Sequence, residues 1–183
     1  MKKIKTLSLL LFLGLSLTGC FGEETEQEEQ ETNDEVREEN GTEATDRESV
    51  IEESGLEIGT GTGTRDDPYI IDINDMQTGN IGDYVVGMPR LYYSVPAAPG
   101  KTYTGILVVT STSVERTPFW ADITVNDGTY TVTDANRLEG LDLVGQDIDV
   151  TIEVSEYGNS VNFNISTNAT GEDVFYEFYV EEH

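Results

Sequence analysis

Four aliphatic residues at every second position, Ile148, Val150, Ile152 and Val154, interleave with Asp147, Asp149, Thr151 and Glu153. Successive side chains of a strand point to opposite sides, so this spacing requires a β-strand with one dry face and one wet face, which no helix provides. The pattern recurs. Val161, Phe163 and Ile165 alternate with Asn162, Asn164 and Ser166, and Phe119, Ala121, Ile123 and Val125 alternate with residues that include Asp122, Thr124 and Asn126. In the last run Val174, Tyr176, Phe178 and Val180 alternate with Phe175, Glu177, Tyr179 and Glu181. Strands with a single wet face follow the antiparallel habit, since parallel strands are covered on both sides.

Further strands are expected over residues 68–73, 83–86, 91–95 and 102–112, rich in β-branched and aromatic side chains. Asn126-Asp127-Gly128 supplies a hairpin turn leading into Tyr130 and Val132, and Gly158-Asn159 supplies another. Residues 134–145 lack the alternation and read as a loop, with at most a helical turn around 136–141. Eight or nine short strands without an amphipathic helix predict an all-β fold, an antiparallel β-sandwich of jelly-roll or Greek-key type, over residues 58–183.

The 183-residue chain carries a formal charge of -26, unevenly distributed. Residues 21–57 contain 16 acids and two arginines with hardly an aliphatic side chain, so they cannot bury enough apolar surface to offset their ordering entropy. Residues 20–57 are therefore expected to form a disordered acidic linker. A flexible chain of that length spans roughly 35 Å, which like-charge repulsion extends, so its expected role is that of a stalk. A surface of this sign repels phosphate backbones, and nucleic acid is excluded as a partner.

The amino terminus has a different character. Three lysines within the first five residues precede an aliphatic run over 7–17 and then small residues, the three-part layout of an export signal. A retained membrane span would need about 20 apolar residues, and Gly14, Gly19 and the acidic residues from Glu23 onward cut this run short. Leu17-Thr18-Gly19-Cys20 resembles the lipobox of bacterial lipoproteins. The resemblance implies a signal peptide over 1–19 and a lipid on Cys20. It places the mature protein on the cell envelope through a lipid anchor in the membrane, and Phe21 points to the outer membrane where the source has two. Two or three acyl chains hold effectively permanently. Cys20 is the only cysteine, so no intramolecular disulfide can staple the fold.

Residues 90–180 resemble the bacterial pre-peptidase C-terminal domain, a small β-sandwich appended to exported proteins. The likeness lies in Leu91-Tyr92-Tyr93-Ser94-Val95-Pro96-Ala97 followed by Gly100-Lys101, in Ala121-Asp122-Ile123-Thr124-Val125-Asn126-Asp127-Gly128, and in a closing aromatic strand from Phe175. Pro89-Arg90 before the aromatic strand departs from the pattern, and no protease adjoins the domain. The stretch 61–71, with its Gly-Thr repeats and Asp67-Pro68-Tyr69, is similar to a lead-in that opens modules of many bacterial surface proteins.

Catalytic chemistry finds little support. His183 is the only histidine and terminal, where fraying is expected, which leaves no Ser-His-Asp or Cys-His arrangement and no imidazole-rich zinc site. No carboxylate pair stands in the context a glycosidase needs. No cofactor and no metal is expected, although Asp122, Asp127, Asp142, Asp147 and Asp149 lie near strand ends and turns, where a structural calcium would find oxygen ligands. The other account of these aspartates is their preference for turns and wet faces. Trp120, Phe175 and Tyr179 fall on the polar side of their strands and are the candidate ligand-binding residues, since aromatics give large contact area at low entropy cost. The expected function is a non-enzymatic binding domain for a glycan or an envelope protein. The alternative is a structural or assembly subunit of an envelope or secretion complex.

Overall fold

A computed structural model of the protein describes residues 39–83, 89–128 and 131–183. The leader, Cys20 and the acidic residues up to 38 lie outside the described residues, as do most of the strand expected at 83–86 and Tyr130 of the expected hairpin arm.

Nine strands are described: β1 (Tyr69–Ile70), β2 (Gln77–Asn80), β3 (Arg90–Pro96), β4 (Thr102–Thr112), β5 (Trp120–Asn126), β6 (Asp134–Glu139), β7 (Asp147–Glu153), β8 (Ser160–Thr167) and β9 (Val174–Glu182). They form a five-stranded sheet in the order β1-β3-β8-β5-β6 and a four-stranded sheet in the order β2-β9-β4-β7. The pairings nest: β2 with β9, β3 with β8, β4 with β7 and β5 with β6, all antiparallel. One long hairpin rolled upon itself has this connectivity, and the sandwich is therefore of the jelly-roll type. Only β1 departs, pairing parallel to β3.

The expected alternation sets the layers. Val150, Ile148, Phe178, Val180, Leu107 and Tyr103 face inward from the smaller sheet, and Tyr93, Val95, Phe163, Ile165, Ile123 and Val125 face inward from the larger, all 2% exposed or less. Aromatic rings bridge the layers, with Tyr93 against Phe178 at 4.7 Å and Phe163 against Phe178 at 5.6 Å between centroids. Gly105 makes room for this, since a Cβ there would stand 2.5 Å from the Phe163 ring. The buried hydroxyls of Tyr93 and Tyr176 meet at 2.5 Å, so neither is left unpaired in the core. Burial above all pushes the Tyr93 phenol far above its ordinary value. Tyr103 is pushed up to about 12, by burial first and by its hydrogen bond to Glu182 in part.

Three expectations are corrected. Residues 134–139 are a strand, β6, although Asp134-Ala135-Asn136-Arg137-Leu138-Glu139 contains no β-branched or aromatic side chain. As an edge strand it is held from the side: Arg137 reaches Asp122 at 2.7 Å, and Asn136 Nδ2 donates to the Asp149 carbonyl at 3.0 Å. Residues Glu39–Ser54, within the segment expected to be disordered, form a helix, α1. It has no wide apolar stripe; a polar anchor substitutes, because Arg47 binds the Asp72 carboxylate through Nε at 2.7 Å and the Pro96 carbonyl through Nη1 at 2.9 Å. Finally, His183 is paired rather than loose: its amide donates to the Thr102 carbonyl at 2.9 Å and its carbonyl accepts from the Thr102 amide at 3.4 Å.

Candidate functional site

The lead-in over residues 59–68 builds one wall of a groove. Gly61 and Gly63 take positive φ values of 99° and 75°, and a Cβ at either would strike Pro68 or the Tyr69 ring, so only glycine allows the chain to fold this tightly. Thr62 and Thr64 donate their amides to the Asp67 carbonyl at 3.1 Å, and the Thr62 hydroxyl binds the Asp67 carboxylate at 2.8 Å. The Tyr92 amide donates to the Gly63 carbonyl at 3.0 Å, which ties the loop to β3 and carries Arg65 and Pro68 to the outer face of the larger sheet.

That face supplies the floor. Arg90 and Tyr92 come from β3, Asn162 and Asn164 from β8, Thr124 and Asn126 from β5, and with the lead-in they enclose an open groove of about 320 Å³. Its volume sits at the lower end of the range for small-molecule clefts, about 300–1,000 Å³. The cross-strand register sets Tyr92 beside Asn164 and Asn164 beside Thr124. The polar groups hold each other loosely. Asn162 Nδ2 lies 3.4 Å from Asn126 Oδ1, and Asn164 Nδ2 lies 3.3 Å from Thr124 Oγ1. Asn164 Oδ1 is shielded and has no hydrogen-bond partner among the described residues. An amide offers two donors and two lone pairs, and these bonds use one donor each of Asn162 and Asn164.

Among the described residues no carboxylate and no histidine lines the groove. Glycoside hydrolysis needs two carboxylates across the scissile bond, and this lining offers none. What it can do is hold a hydroxyl-rich ligand, with the Tyr92 ring as a platform.

The candidate aromatics do not converge on one site. Trp120 lies on the outer face of the larger sheet, further along β5 from the groove, with the Arg137 guanidinium 4.0 Å over its ring. Arg137 in turn binds Asp122, which also accepts from the Ser166 hydroxyl. Phe175 and Tyr179 stand on the outer face of the other sheet, where the register pairs Tyr179 with Ile106 and Phe175 with Ser111 of β4, and Phe175 is 45% exposed. There Tyr179 is pushed up by burial first and then by Glu181, Asp147 and Glu177. Nor do the aspartates considered for calcium gather. Asp122 is committed to Arg137 and Ser166, Asp147 and Asp149 lie on β7, and among the described residues no group of three metal-ligating side chains comes together.

The groove residues are the ones the sequence reading passed over as an ordinary wet face. A signal existed: asparagine is depleted in strands, yet Asn126, Asn162 and Asn164 occupy outward positions on two neighbouring strands. Arg65 and Arg90 carried none, because only the folded lead-in brings them together.

No family model matches the chain, and no curated protein matches it. Among solved structures it is similar to the pre-peptidase C-terminal domain of collagenase from Bacillus anthracis, at 12% identity over 61% of this chain and 92% of that one, with a TM-score of 0.41. It is also similar to TmCBM61 in complex with beta-1,4-galactotriose, at 9% identity over 61% of this chain and 91% of that one, TM-score 0.35. A CBM4 structure matches at 14% identity over 60% of this chain and 72% of that one, TM-score 0.35. The sandwich itself rests on the two sheets described above.

Proposed function

We propose that this protein is a lipid-anchored cell-envelope lipoprotein whose jelly-roll domain binds a glycan without catalysis. The observation that carries the binding reading is the groove on the larger sheet: three asparagine amides, a threonine hydroxyl and the Tyr92 ring, with no carboxylate among the described lining residues. Neutral amides and hydroxyls exchange hydrogen bonds with sugar hydroxyls, and an aromatic ring covers the apolar face of a pyranose. Cys20 is the lipid attachment point in this reading, with the acidic residues after it as the spacer and the outer membrane as the location in a two-membrane source. Among the described residues no helix is long and apolar enough to cross a membrane. Two measurements test the proposal. Mass spectrometry of the mature amino terminus should find an acylated Cys20, and Cys20→Ala should leave the membrane fraction. A glycan array should give binding that Tyr92→Ala removes and Trp120→Ala reduces less; an unmodified Cys20 would end the anchoring reading, and an array without signal would end the glycan reading.

A second reading, an assembly subunit of an envelope complex, is favoured by one observation. Phe175, Tyr179, Ile106 and Val108 present apolar surface on the outer face of the smaller sheet, which suits protein contact. Crosslinking in the native envelope, lost in Phe175→Ala and retained in Tyr92→Ala, would support it.

A further inference from the structure

Among the described residues no acidic side chain lines the groove, whereas Arg65 and Arg90 both do. Residues 58–183 hold only five basic side chains, so two of the five meet at one small cleft. They reach it from separate elements. Arg65 arrives on the lead-in loop, fixed by the Thr62, Thr64 and Asp67 hydrogen bonds, and Arg90 stands on the outer face of β3 two residues from Tyr92. Both arginines have contacts of their own, and a guanidinium keeps its charge at any physiological pH whatever else it touches. The groove thus carries two guanidinium groups on a strongly anionic molecule, and its asparagines and Tyr92 add neutral polar and aromatic surface beside them.

We infer that the groove selects an acidic saccharide, one bearing a carboxylate or a phosphate, with Arg65 and Arg90 taking the anion and Tyr92, Asn162 and Asn164 taking the sugar. The inference rests on the glycan reading above and adds the charge class of the ligand. Long-range repulsion from the rest of the molecule works against such a ligand, so recognition depends on short-range contact. Guanidinium groups give this, because their fork of donors matches carboxylate and phosphate oxygens. A neutral sugar gains only hydrogen bonds to its hydroxyls from the two arginines, without the charge pairing an anion adds, and a cationic one is repelled by them.

The experiment is calorimetric titration of the full chain in detergent with trigalacturonate, its methyl ester, neutral galactotriose and an oligomer of ribitol phosphate. At least one anionic probe should bind, and the methyl ester, similar in shape but uncharged, should bind at least about tenfold more weakly than trigalacturonate if the carboxylate is the anion read. A preference for the ribitol phosphate oligomer over both neutral probes would assign the anion to phosphate. Arg65→Gln and Arg90→Gln should each weaken anionic binding by about tenfold or more while thermal unfolding is unchanged. Comparable binding of neutral and anionic probes, abolished by Tyr92→Ala, would overturn the acidic-ligand inference and leave the glycan reading standing. Anionic binding untouched by both arginine variants would also overturn it. Absence of binding by all four probes at millimolar concentration would remove both.

Discussion

The two outer faces of the sandwich are built on the same alternation and differ in what they present. On the smaller sheet, strands β2, β4, β7 and β9 contain no lysine or arginine, and Asp147, Asp149, Glu153, Glu177 and Glu181 frame the apolar side chains of Ile106, Val108, Tyr179 and Phe175. On the larger sheet, Thr124, Asn126, Asn162 and Asn164 stand outward on β5 and β8 together with Trp120 and Ser166, Arg90 comes from β3, Asp122 is bound by Arg137 and Ser166, and Glu139 of β6 stands opposite Trp120. The inner faces are interchangeable in kind, because burial asks only for apolar volume. Free of that demand, the outer faces differ in the hydrogen-bonding groups they present.

The largest effect expected from this contrast is on binding. Tyr92→Ala removes the aromatic platform of the groove and should weaken glycan binding by about 2 kcal/mol, roughly thirtyfold, as truncation of a central aromatic contact does. Phe175→Ala and Tyr179→Ala, on the opposite face, should leave the titration curve unmoved. Equal losses from all three would mean that the faces are not functionally distinct.

A comparable cost in stability is expected where the sheets meet. The inward Cβ of Gly105→Ala would stand 2.5 Å from the Phe163 ring and 3.1 Å from Ile123, and the sheets must part or the ring must turn. Overpacking of this kind costs about 1–3 kcal/mol, readable as a lower midpoint in denaturant. Glycan affinity should fall less than the stability does, because Phe163 faces away from the groove while its neighbours Asn162 and Asn164 face into it. A loss of binding with no loss of stability would show that the groove and the core are coupled more tightly than the alternation implies.

The strands that alternate were legible before the structure, and so was the sandwich. Residues 102–112, 148–154 and 161–165 fall on β4, β7 and β8 because a half-buried strand writes its two faces into consecutive residues. β6 was not legible, since its sequence lacks strand-forming side chains and its hold on the sheet comes from the backbone ladder with β5, reinforced by Arg137 on Asp122 and Asn136 on the Asp149 carbonyl. α1 escaped for a related reason: periodicity detects an apolar stripe, and a docking contact made largely by one arginine has no period. The groove was half visible, in its asparagines, and half hidden, in a loop whose destination only the fold decides.

α1 gives a smaller test, at the edge where neither outer face is involved. Arg47→Ala removes the bonds to Asp72 and Pro96 and the 3.9 Å approach to Glu182. Hydrogen bonds to charged groups contribute about 1.5–3 kcal/mol, and partial exposure puts this contact at or below the lower figure. Amide exchange over Glu39–Ser54 should accelerate while the strands keep their protection and glycan binding is unchanged. Protection retained in α1 would indicate that Val50 and Ile51, both partly buried, hold the helix without the arginine.

The smallest effect concerns the acidic face alone. Tyr179 is pushed up by burial first and by Glu181, Asp147 and Glu177 after it, so folding favours the protonated phenol. The sign follows: its contribution to stability is full below the ordinary tyrosine value of about 10 and is lost as pH rises through the higher folded value. Replacing the three carboxylates with amides, as Asp147→Asn, Glu177→Gln and Glu181→Gln, should move the Tyr179 titration seen by NMR downward without bringing it to the ordinary value, because the burial remains. The same substitutions should leave acidic-saccharide binding in the distant groove changed by less than about twofold at physiological salt, where charges more than about 8 Å apart are largely screened. An unmoved Tyr179 would mean that solvent screens these carboxylates fully, and the two faces would then differ in their apolar content and their hydrogen-bonding groups but not in the field they cast.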